Sequence, residues 1–256
     1  MNTKREVVYS ATHRAEIEDY PIGDVDRDLV FLKLFEEARE YTMTSKEVMF
    51  STYQAARYVA QRGIKGDIVE CGVWRGGSSL LAALTMREVT SVAPKPKFEF
   101  NFGKHRRFWM YDTFEGMTPP SSRDVDVEGV EASHYMENYA EDGKWCYADQ
   151  IDVEQIFRSR GFGDRDIKLV KGDVVETLKM ERPKKISLLR LDTDWYESTK
   201  AELEALYPLL SKGGVLIIDD YGHWEGSREA VDEFFGRNPS ILLHRVSYAV
   251  RVGIKI

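Results

Sequence analysis

Five short, strongly apolar segments alternate with helical patterns along this chain, and the alternation limits the folds open to it. The segments are residues 67–71, 108–111, 167–170, 186–191 and 215–218. The stretches 78–84, 174–180, 198–210 and 228–235 space their apolar residues as amphipathic helices do, with residues 212–214 ending the third. Consecutive parallel strands need a long crossover, which a helix supplies. The pattern therefore predicts a doubly wound, mainly parallel sheet with helices on both faces.

The two ends of the chain depart from this alternation. Residues 242–256 alternate apolar and polar side chains, which predicts two half-exposed strands forming an antiparallel hairpin. Residues 1–60 are mostly helical in pattern and are predicted to form a cap on a domain of residues 61–256. The predicted fold is a Rossmann-like α/β domain with a seven-stranded, mostly parallel sheet.

Two segments interrupt the regular pattern. Residues 90–104 contain two prolines and are predicted as a loop. Residues 118–150 are acidic and aromatic, and a segment of that length inside a domain is typically a lid or a binding loop. The alternative is a partly disordered surface loop. If it is a lid, Tyr135, Tyr139, Trp145 and Tyr147 are candidates to stack on a substrate, or they pack the lid itself.

Composition excludes several classes of protein. The chain carries 43 acidic against 36 basic residues, a net charge of -7, which disfavours a nucleic-acid partner. Two cysteines exclude a disulfide scaffold and suit a reducing compartment. We find no apolar core of a signal peptide and no apolar stretch long enough to span a bilayer, so no membrane partner and a cytoplasmic location are expected.

A glycine-rich turn follows the first predicted strand. Its pattern, G-x-x-x-G-G over residues 72–77, differs from the G-x-G-x-x-G of dinucleotide sites, but it also lets a backbone approach a ligand closely. Glu70 and Asp112 lie at the ends of the first and second strands, where a carboxylate can accept hydrogen bonds from ribose hydroxyls. Asp112 also fits a second interpretation, as the cap of a helix starting at Thr113.

Three aspartates follow the fourth and fifth strands. Asp192 ends one strand, and Asp219 and Asp220 end the next. Because the carboxyl ends of neighbouring parallel strands meet at one edge, these side chains are expected to converge, and Mg²⁺ prefers such oxygen ligands. Capping of a helix, or pairing with Arg190 or Arg228, is the alternative.

A divalent cation at this place would stabilise the alkoxide of a bound hydroxyl, and a nearby base would take its proton. The candidate bases are Asp192, Asp194, His134 and His223.

Together these motifs resemble the macrocin O-methyltransferase (TylF-type) family. The resemblance covers residues 40–236 and is carried by E-C-G-V-W-R-G-G at 70–77, D-T-F-E-G at 112–116, L-R-L-D-T-D-W-Y at 189–196, L-S-K-G-G at 210–214, I-I-D-D-Y at 217–221 and S-R-E-A-V-D-E at 227–233. Members are class I methyltransferases that use S-adenosylmethionine and Mg²⁺ to methylate sugar hydroxyls.

The resemblance implies roles for particular residues. The implied cofactor contacts are Thr42, Met43, Glu70, Gly72, Trp74, Arg75, Gly76, Ser78, Asp112, Gly172, Asp173 and Asp192. The implied Mg²⁺ ligands are Asp192, Asp219 and Asp220, and the implied catalytic residues are Asp192 and His134. A small glycosylated acceptor and a homo-oligomer are also expected.

The sequence motifs alone leave three other functions open. A catechol-type O-methyltransferase would use the same metal chemistry on another acceptor. An NAD-dependent oxidoreductase is disfavoured by the glycine spacing. A non-catalytic nucleotide-binding protein would have little use for three converging carboxylates.

Overall fold

The computed structural model describes residues 23–92, 106–139, 144–236 and 241–256. The strands are β1 (Asp67–Cys71), β2 (Phe108–Asp112), β3 (Ile167–Lys171), β4 (Ile186–Leu191), β5 (Leu210–Ile218), β6 (His244–Arg245) and β7 (Arg251–Ile254). The α-helices are α1 (Leu29–Ala38), α2 (Lys46–Gln61), α3 (Gly77–Val92), α4 (Ala132–Tyr139), α5 (Gln150–Arg158), α6 (Val174–Met180), α7 (Tyr196–Leu206) and α8 (Glu225–Gly236).

The strands form one sheet of order β3-β2-β1-β4-β5-β7-β6. Strands β1 to β5 pair in parallel, whereas β7 is antiparallel to both β5 and β6. The predicted seven-stranded, mostly parallel sheet with a C-terminal hairpin is confirmed. Because β1 pairs with β2 on one side and β4 on the other, the chain switches direction at β1, and a crevice opens beyond the ends of β1 and β4.

Apolar side chains cover both faces of the sheet. Along β1, Ile68 joins the core that includes helices α1, α2 and α3, while Val69 joins the core that includes α6, α7 and α8. In β4, Leu188 and Leu189 divide in the same way. Successive strand residues point to opposite faces, so a strand covered on both sides must be apolar throughout. This explains the continuous apolar runs in the sequence.

The structure corrects the predicted helix of residues 198–210. Helix α7 ends at Leu206 and is followed by a 3-10 turn, Tyr207–Leu209. Pro208 has no backbone N–H and cannot donate the hydrogen bond that would continue the helix, so the α-helix stops early. Strand β5 then begins at Leu210, so residues 212–214 lie within a strand instead of ending a helix.

The other interruptions can be followed in part. Helix α3 extends to Val92, so the start of the predicted loop 90–104 is helical, and residues 93–105 lie outside the described residues. Of the predicted cap, residues 23–60 include α1 and most of α2, which share a core with α3. None of the described helices is long and apolar enough to cross a membrane.

The lid segment, residues 118–150, is anchored to the domain by a buried carboxylate. Asp124 accepts hydrogen bonds from the backbone N–H of Tyr196, at 2.8 Å, and from the N–H of Ser121, at 2.6 Å. Tyr196 is the first residue of α7, and the helix's own N-cap residue, Trp195, provides no side-chain cap. Asp124 is therefore the N-terminal cap of α7, supplied from a distant part of the chain. A Cβ at position 226 would lie 2.2 Å from Asp124 Oδ1, which accounts for Gly226.

Replacing this cap should destabilise the domain. We expect Asp124→Ala to lower the free energy of unfolding by about 2 kcal/mol, the upper range for loss of a helix cap, because the α7 N-terminus loses its acceptor. Urea denaturation measures the change. Asp164→Ala is the control, since that carboxylate is exposed and pairs only at the surface with Arg158. Equal stability of Asp124→Ala and the wild type would contradict the assignment.

Candidate active site

Backbone hydrogen bonds continue across the sheet one residue beyond the strand ends. The N–H groups of Gly172, Gly72, Asp192 and Asp219 donate to the carbonyls of Asp112, Tyr111, Cys71 and Leu191, at 2.9, 2.8, 2.9 and 2.9 Å respectively. These bonds place the four loops after β3, β1, β4 and β5 in a fixed register. The polar residues predicted at separate strand ends are thus brought to one edge.

Gly72 allows the turn after β1 to pack directly on the end of β4. Its φ is +76°, in the left-handed region, and a Cβ there would lie 1.8 Å from the carbonyl oxygen of Asp192. No other residue type fits such an approach without moving the backbone. The next turn residue but one, Trp74, is also left-handed, with φ +45°.

Asp112 holds this turn in place. One carboxylate oxygen accepts from the N–H groups of Val73 and Trp74, at 2.8 and 3.0 Å, and the other accepts from Phe114, at 2.8 Å. Burial raises the pKa of Asp112, and the three N–H groups oppose that rise. No helix begins at Thr113, so Asp112 closes a turn to Phe114 in place of the helix cap considered above. Its contact with a ribose stays a prediction.

A cleft of about 700 Å³, including its open mouth, lies beyond the strand ends. Seven of the predicted cofactor contacts line it: Met43, Gly72, Trp74, Asp112, Gly172, Asp173 and Asp192. The lid contributes Thr118 and Cys146 from its two ends, and Met117 lines the cleft just before the lid begins. Sequence reasoning missed these lid residues, because nothing in a loop's sequence tells which of its side chains face a cleft.

The other five predicted cofactor contacts are not among the residues that line the cleft. They are Thr42, Glu70, Arg75, Gly76 and Ser78. The hydroxyl of Ser78 is turned to the sulfur of Met49, at 3.6 Å, and the guanidinium of Arg75 donates to the carbonyl of Glu40, at 3.1 Å. Glu70 is buried, and removal from water raises its pKa to about 7 against the opposing effects of Arg190 and the hydroxyl of Ser79. Their contacts with a cofactor remain predictions.

Asp192, Asp194 and Asp220 form a carboxylate cluster at the cleft, which we call the acidic cluster. One oxygen of each lies within 4.8 Å of an oxygen of the others. Removal from water and the charge of Asp192 raise the pKa of Asp194 to about 7, and the pKa of Asp220 is also raised by burial and by its neighbours. Such crowding is relieved when a cation binds.

The acidic cluster differs from the predicted set of metal ligands by one residue. Asp219 lies against Asp192 but directs Oδ1 to Arg190 Nη2, at 2.6 Å, as the alternative of pairing with an arginine anticipated. Arg228, the other anticipated partner, pairs with Glu225. Asp194 takes a place in the cluster instead, and the D-x-D spacing after β4 was the signal that could have identified it. Ligation by Asp219 stays a prediction.

The candidate bases are separated by their positions. Asp192 and Asp194 both line the cleft, and Asp194 has a left-handed backbone with φ +68° and a hydrogen bond from Trp224. His134 and His223 are not among the lining residues. His134 is exposed on α4 beside Asn138, with 2.7 Å between its carbonyl oxygen and the amide nitrogen. The structure therefore does not bring His134 to the cleft.

A buried glutamate supports the loop after β4, which carries two members of the acidic cluster. Its burial could not be predicted from the sequence pattern. Glu202, on α7, has no exposed surface, and its Oε1 accepts from the hydroxyl of Thr193 at 2.8 Å. Burial raises its pKa to about 8. Charged residues on a helix are usually solvated, so the burial of Glu202 could not be predicted from its position in the sequence.

The aromatic residues of the lid fall into two groups. Tyr135 stacks on Trp145 with ring centroids 5.9 Å apart, and Trp145 lies 6.1 Å from Trp195. These rings pack the lid against the loop after β4, which is the packing role considered above. Tyr139 and Tyr147 are 41% and 40% exposed, and neither is among the residues that line the cleft.

Known proteins resemble this chain over most of its length. A sequence profile of the family described as Macrocin-O-methyltransferase (TylF) matches residues 5–241. The 8-demethyl-8-(2,3-dimethoxy-alpha-L-rhamnosyl)-tetracenomycin-C 4'-O-methyltransferase of Streptomyces olivaceus is 31% identical over 218 residues, which are 84% of this chain and 75% of the relative. Demethyldecarbamoylnovobiocin O-methyltransferase of Streptomyces niveus is 29% identical over 197 residues, covering 77% and 68%.

A solved structure extends the likeness to the fold. The O-methyltransferase NovP superposes with a TM-score of 0.69 at 26% identity, covering 84% of this chain and 82% of that one. The cleft and the acidic cluster fall within the residues matched by the family profile.

Glu202 should make stability depend on pH. Its folded pKa, about 8, exceeds the ordinary value of 4.5, so the folded state retains a proton that the unfolded state loses, and stability falls as pH rises between these values. This loss is about 1.4 kcal/mol of unfolding free energy per pH unit in that window, and we expect Glu202→Gln to remove it. The stability of the variant relative to the wild type should therefore increase from pH 5 to pH 8. Urea midpoints at the two pH values measure it.

Glu204→Gln is the matched control, an exposed carboxylate on the same helix. A difference between Glu202→Gln and the wild type that is the same at pH 5 and pH 8 would show that Glu202 does not titrate as described.

Proposed function

The chain belongs to the macrocin-O-methyltransferase (TylF) family, and on that premise we propose that it transfers a methyl group from S-adenosylmethionine to a sugar hydroxyl of a small glycosylated molecule. Membership makes the chain an O-methyltransferase. The observation that carries the proposal is the position of the acidic cluster: its members Asp192 and Asp194 line the cleft, and the carbonyl of Asp192 packs against the turn of Gly72.

The cleft suits a nucleoside-containing cation. Asp112 and Asp192 give its wall a negative potential next to the glycine turn, which favours a sulfonium. Asp173 caps α6 by accepting from the N–H of Val175 through Oδ1, at 2.9 Å, which leaves its other oxygen for an adenine amino group. Gly172, the neighbouring lining residue, has no side chain that would narrow the cleft.

The acidic cluster suits Mg²⁺, because it offers only oxygen ligands. The negative charges of its carboxylates also repel one another, and a bound cation would relieve that repulsion. Asp192, Asp194 and Asp220 would hold the ion, with Asp219 beside them. The ion would stabilise the negative charge of a deprotonated hydroxyl.

The remaining work falls to the chain's own residues. The acceptor hydroxyl oxygen forms a bond to the methyl carbon as the bond from that carbon to sulfur breaks, and S-adenosylhomocysteine leaves as a neutral thioether. Asp194 or Asp192 accepts the hydroxyl proton, since both carboxylates line the cleft. Because no charged leaving group needs help, holding donor and acceptor in line supplies much of the rate.

The lid would enclose the acceptor. Its two ends line the cleft, and the exposed rings of Tyr139 and Tyr147 offer surfaces for a sugar or for an aglycone. The relative from Streptomyces olivaceus carries a rhamnosyl compound in its name, which supports a deoxysugar acceptor here. Association of the chain with copies of itself stays part of the proposal.

The metal role predicts a selective loss of turnover. We expect Asp220→Asn to lower Mg²⁺-dependent methylation at least about 100-fold, as removal of one transition-state electrostatic group does, because a ligand charge is lost. S-adenosylmethionine affinity should change by less than about threefold, since Asp220 is not a cleft-lining residue. Product mass across a panel of glycosylated natural products and calorimetry with S-adenosylmethionine are the two measurements.

Asp164→Asn, at an exposed carboxylate, is the control. Turnover that survives both Asp220→Asn and a chelator would refute the metal role. Binding of NAD without any binding of S-adenosylmethionine would refute the proposed function as a whole.

A further inference from the structure

Arg190 lies at the point where three strands bring their carboxylates together. Its guanidinium is 3% exposed and contacts Glu70 at 2.7 Å, Asp219 at 2.6 Å, and Asp192. Glu70 belongs to β1, Arg190 to β4, and the two aspartates follow β4 and β5. The guanidinium thus links Glu70, which precedes the glycine turn, to the acidic cluster.

Carboxylates, and not backbone groups, hold this guanidinium. Within the described part of the chain, Arg190 Nε has no hydrogen-bond partner, while Nη1 and Nη2 face the three acids and the hydroxyl of Thr44, at 3.4 Å. An unpaired buried donor is unfavourable, so the attraction between the guanidinium and the three carboxylates must determine the position of this side chain. Its contacts also fall on the residues that the proposed function gives to Mg²⁺.

The charges around Arg190 are far from balanced. Glu70, Asp192 and Asp219 pair with it, and Asp194 and Asp220 adjoin Asp192. Among the ion pairs of the described residues, Arg190 is the basic partner of Glu70, Asp192 and Asp219. Buried carboxylates that lose a partner are strongly unfavourable. In the folded state without a divalent cation, Arg190 therefore offsets the carboxylates it contacts, alongside protonation of the acids whose pKa is raised.

We propose that Arg190 is the resident counter-cation of the site: it holds the strand-end carboxylates together in the absence of a divalent cation and competes with that cation for Asp192 and Asp219. The competition rests on the proposed metal role, whereas the stabilising role does not. The geometry explains why Asp219 faces the guanidinium while Asp194 completes the acidic cluster.

The stabilising role is tested by a double-variant cycle in a chelating buffer. We expect Arg190→Met to lower Tm by about 8 °C, because it leaves buried carboxylates unpaired. Arg190→Met combined with Asp219→Asn should recover at least half of that loss, since the second change removes one of the uncompensated charges.

An ordinary structural contact would behave differently, because once Arg190 is replaced, Asp219→Asn would then restore no stability. A double variant that melts no higher than Arg190→Met would overturn the proposal. If Arg190→Met alone does not fold, recovery of soluble, folded protein by the double variant supports the proposal, and failure of both overturns it.

The competition is tested by titrating Mg²⁺ alone, followed by calorimetry and by the rise in Tm. Removing a unit positive charge a few ångströms from the ion should tighten binding about tenfold in Arg190→Met. Arg190→Lys, which keeps the charge, should stay within about twofold of the wild type. Unchanged or weaker binding by Arg190→Met would overturn the competition.

The two proposals can fail separately. Absence of Mg²⁺ binding in the wild type, in Arg190→Met and in Asp220→Asn would refute the metal role and with it the competition. The double-variant cycle in chelator would still decide whether Arg190 is the counter-cation of the metal-free fold.

Discussion

The site depends on a row of backbone hydrogen bonds that crosses the sheet just beyond its strand ends. Each bond joins the first loop residue after one strand to the last residues of its neighbour, so the loops start in register. Gly72 makes the closest crossing possible, because its missing Cβ leaves room for the carbonyl of Asp192. A small change of backbone in that crossing would move the glycine turn and the acidic cluster together. The carboxylates of different strands can therefore act as one group.

Much of the fold could be predicted from the sequence because strands buried on both faces must be apolar throughout. The runs that contain Ile68 and Leu188 identify the central strands for that reason. The prediction of a helix over residues 198–210 was wrong at its end, because Pro208 cannot donate the backbone hydrogen bond that would continue the helix, whatever the spacing of the leucines. The extent of β5 followed from that error.

The site could be predicted less completely, since the interaction partners of its side chains depend on the three-dimensional arrangement of the strands and loops. Asp219 and Asp220 are adjacent in sequence, yet one faces Arg190 and the other joins the acidic cluster. Arg190 itself sits in an apolar run, where the sequence cannot tell whether a charged side chain is paired or exposed. Glu202 was hidden in the same way by its helix. His134 was chosen by residue type, and its position on α4 away from the cleft could come only from the folded lid.

The cap that Asp124 gives to α7 has a consequence for exchanging lids between relatives. The helix begins without an acceptor of its own, so its first turn is finished by a residue more than seventy positions earlier in the chain. A chimaera that receives a foreign lid must bring a carboxylate to the same spot, opposite a glycine at position 226. A change of lid in this scaffold thus carries a structural requirement, and transplanted lids lacking that aspartate would leave the first turn of α7 without its cap.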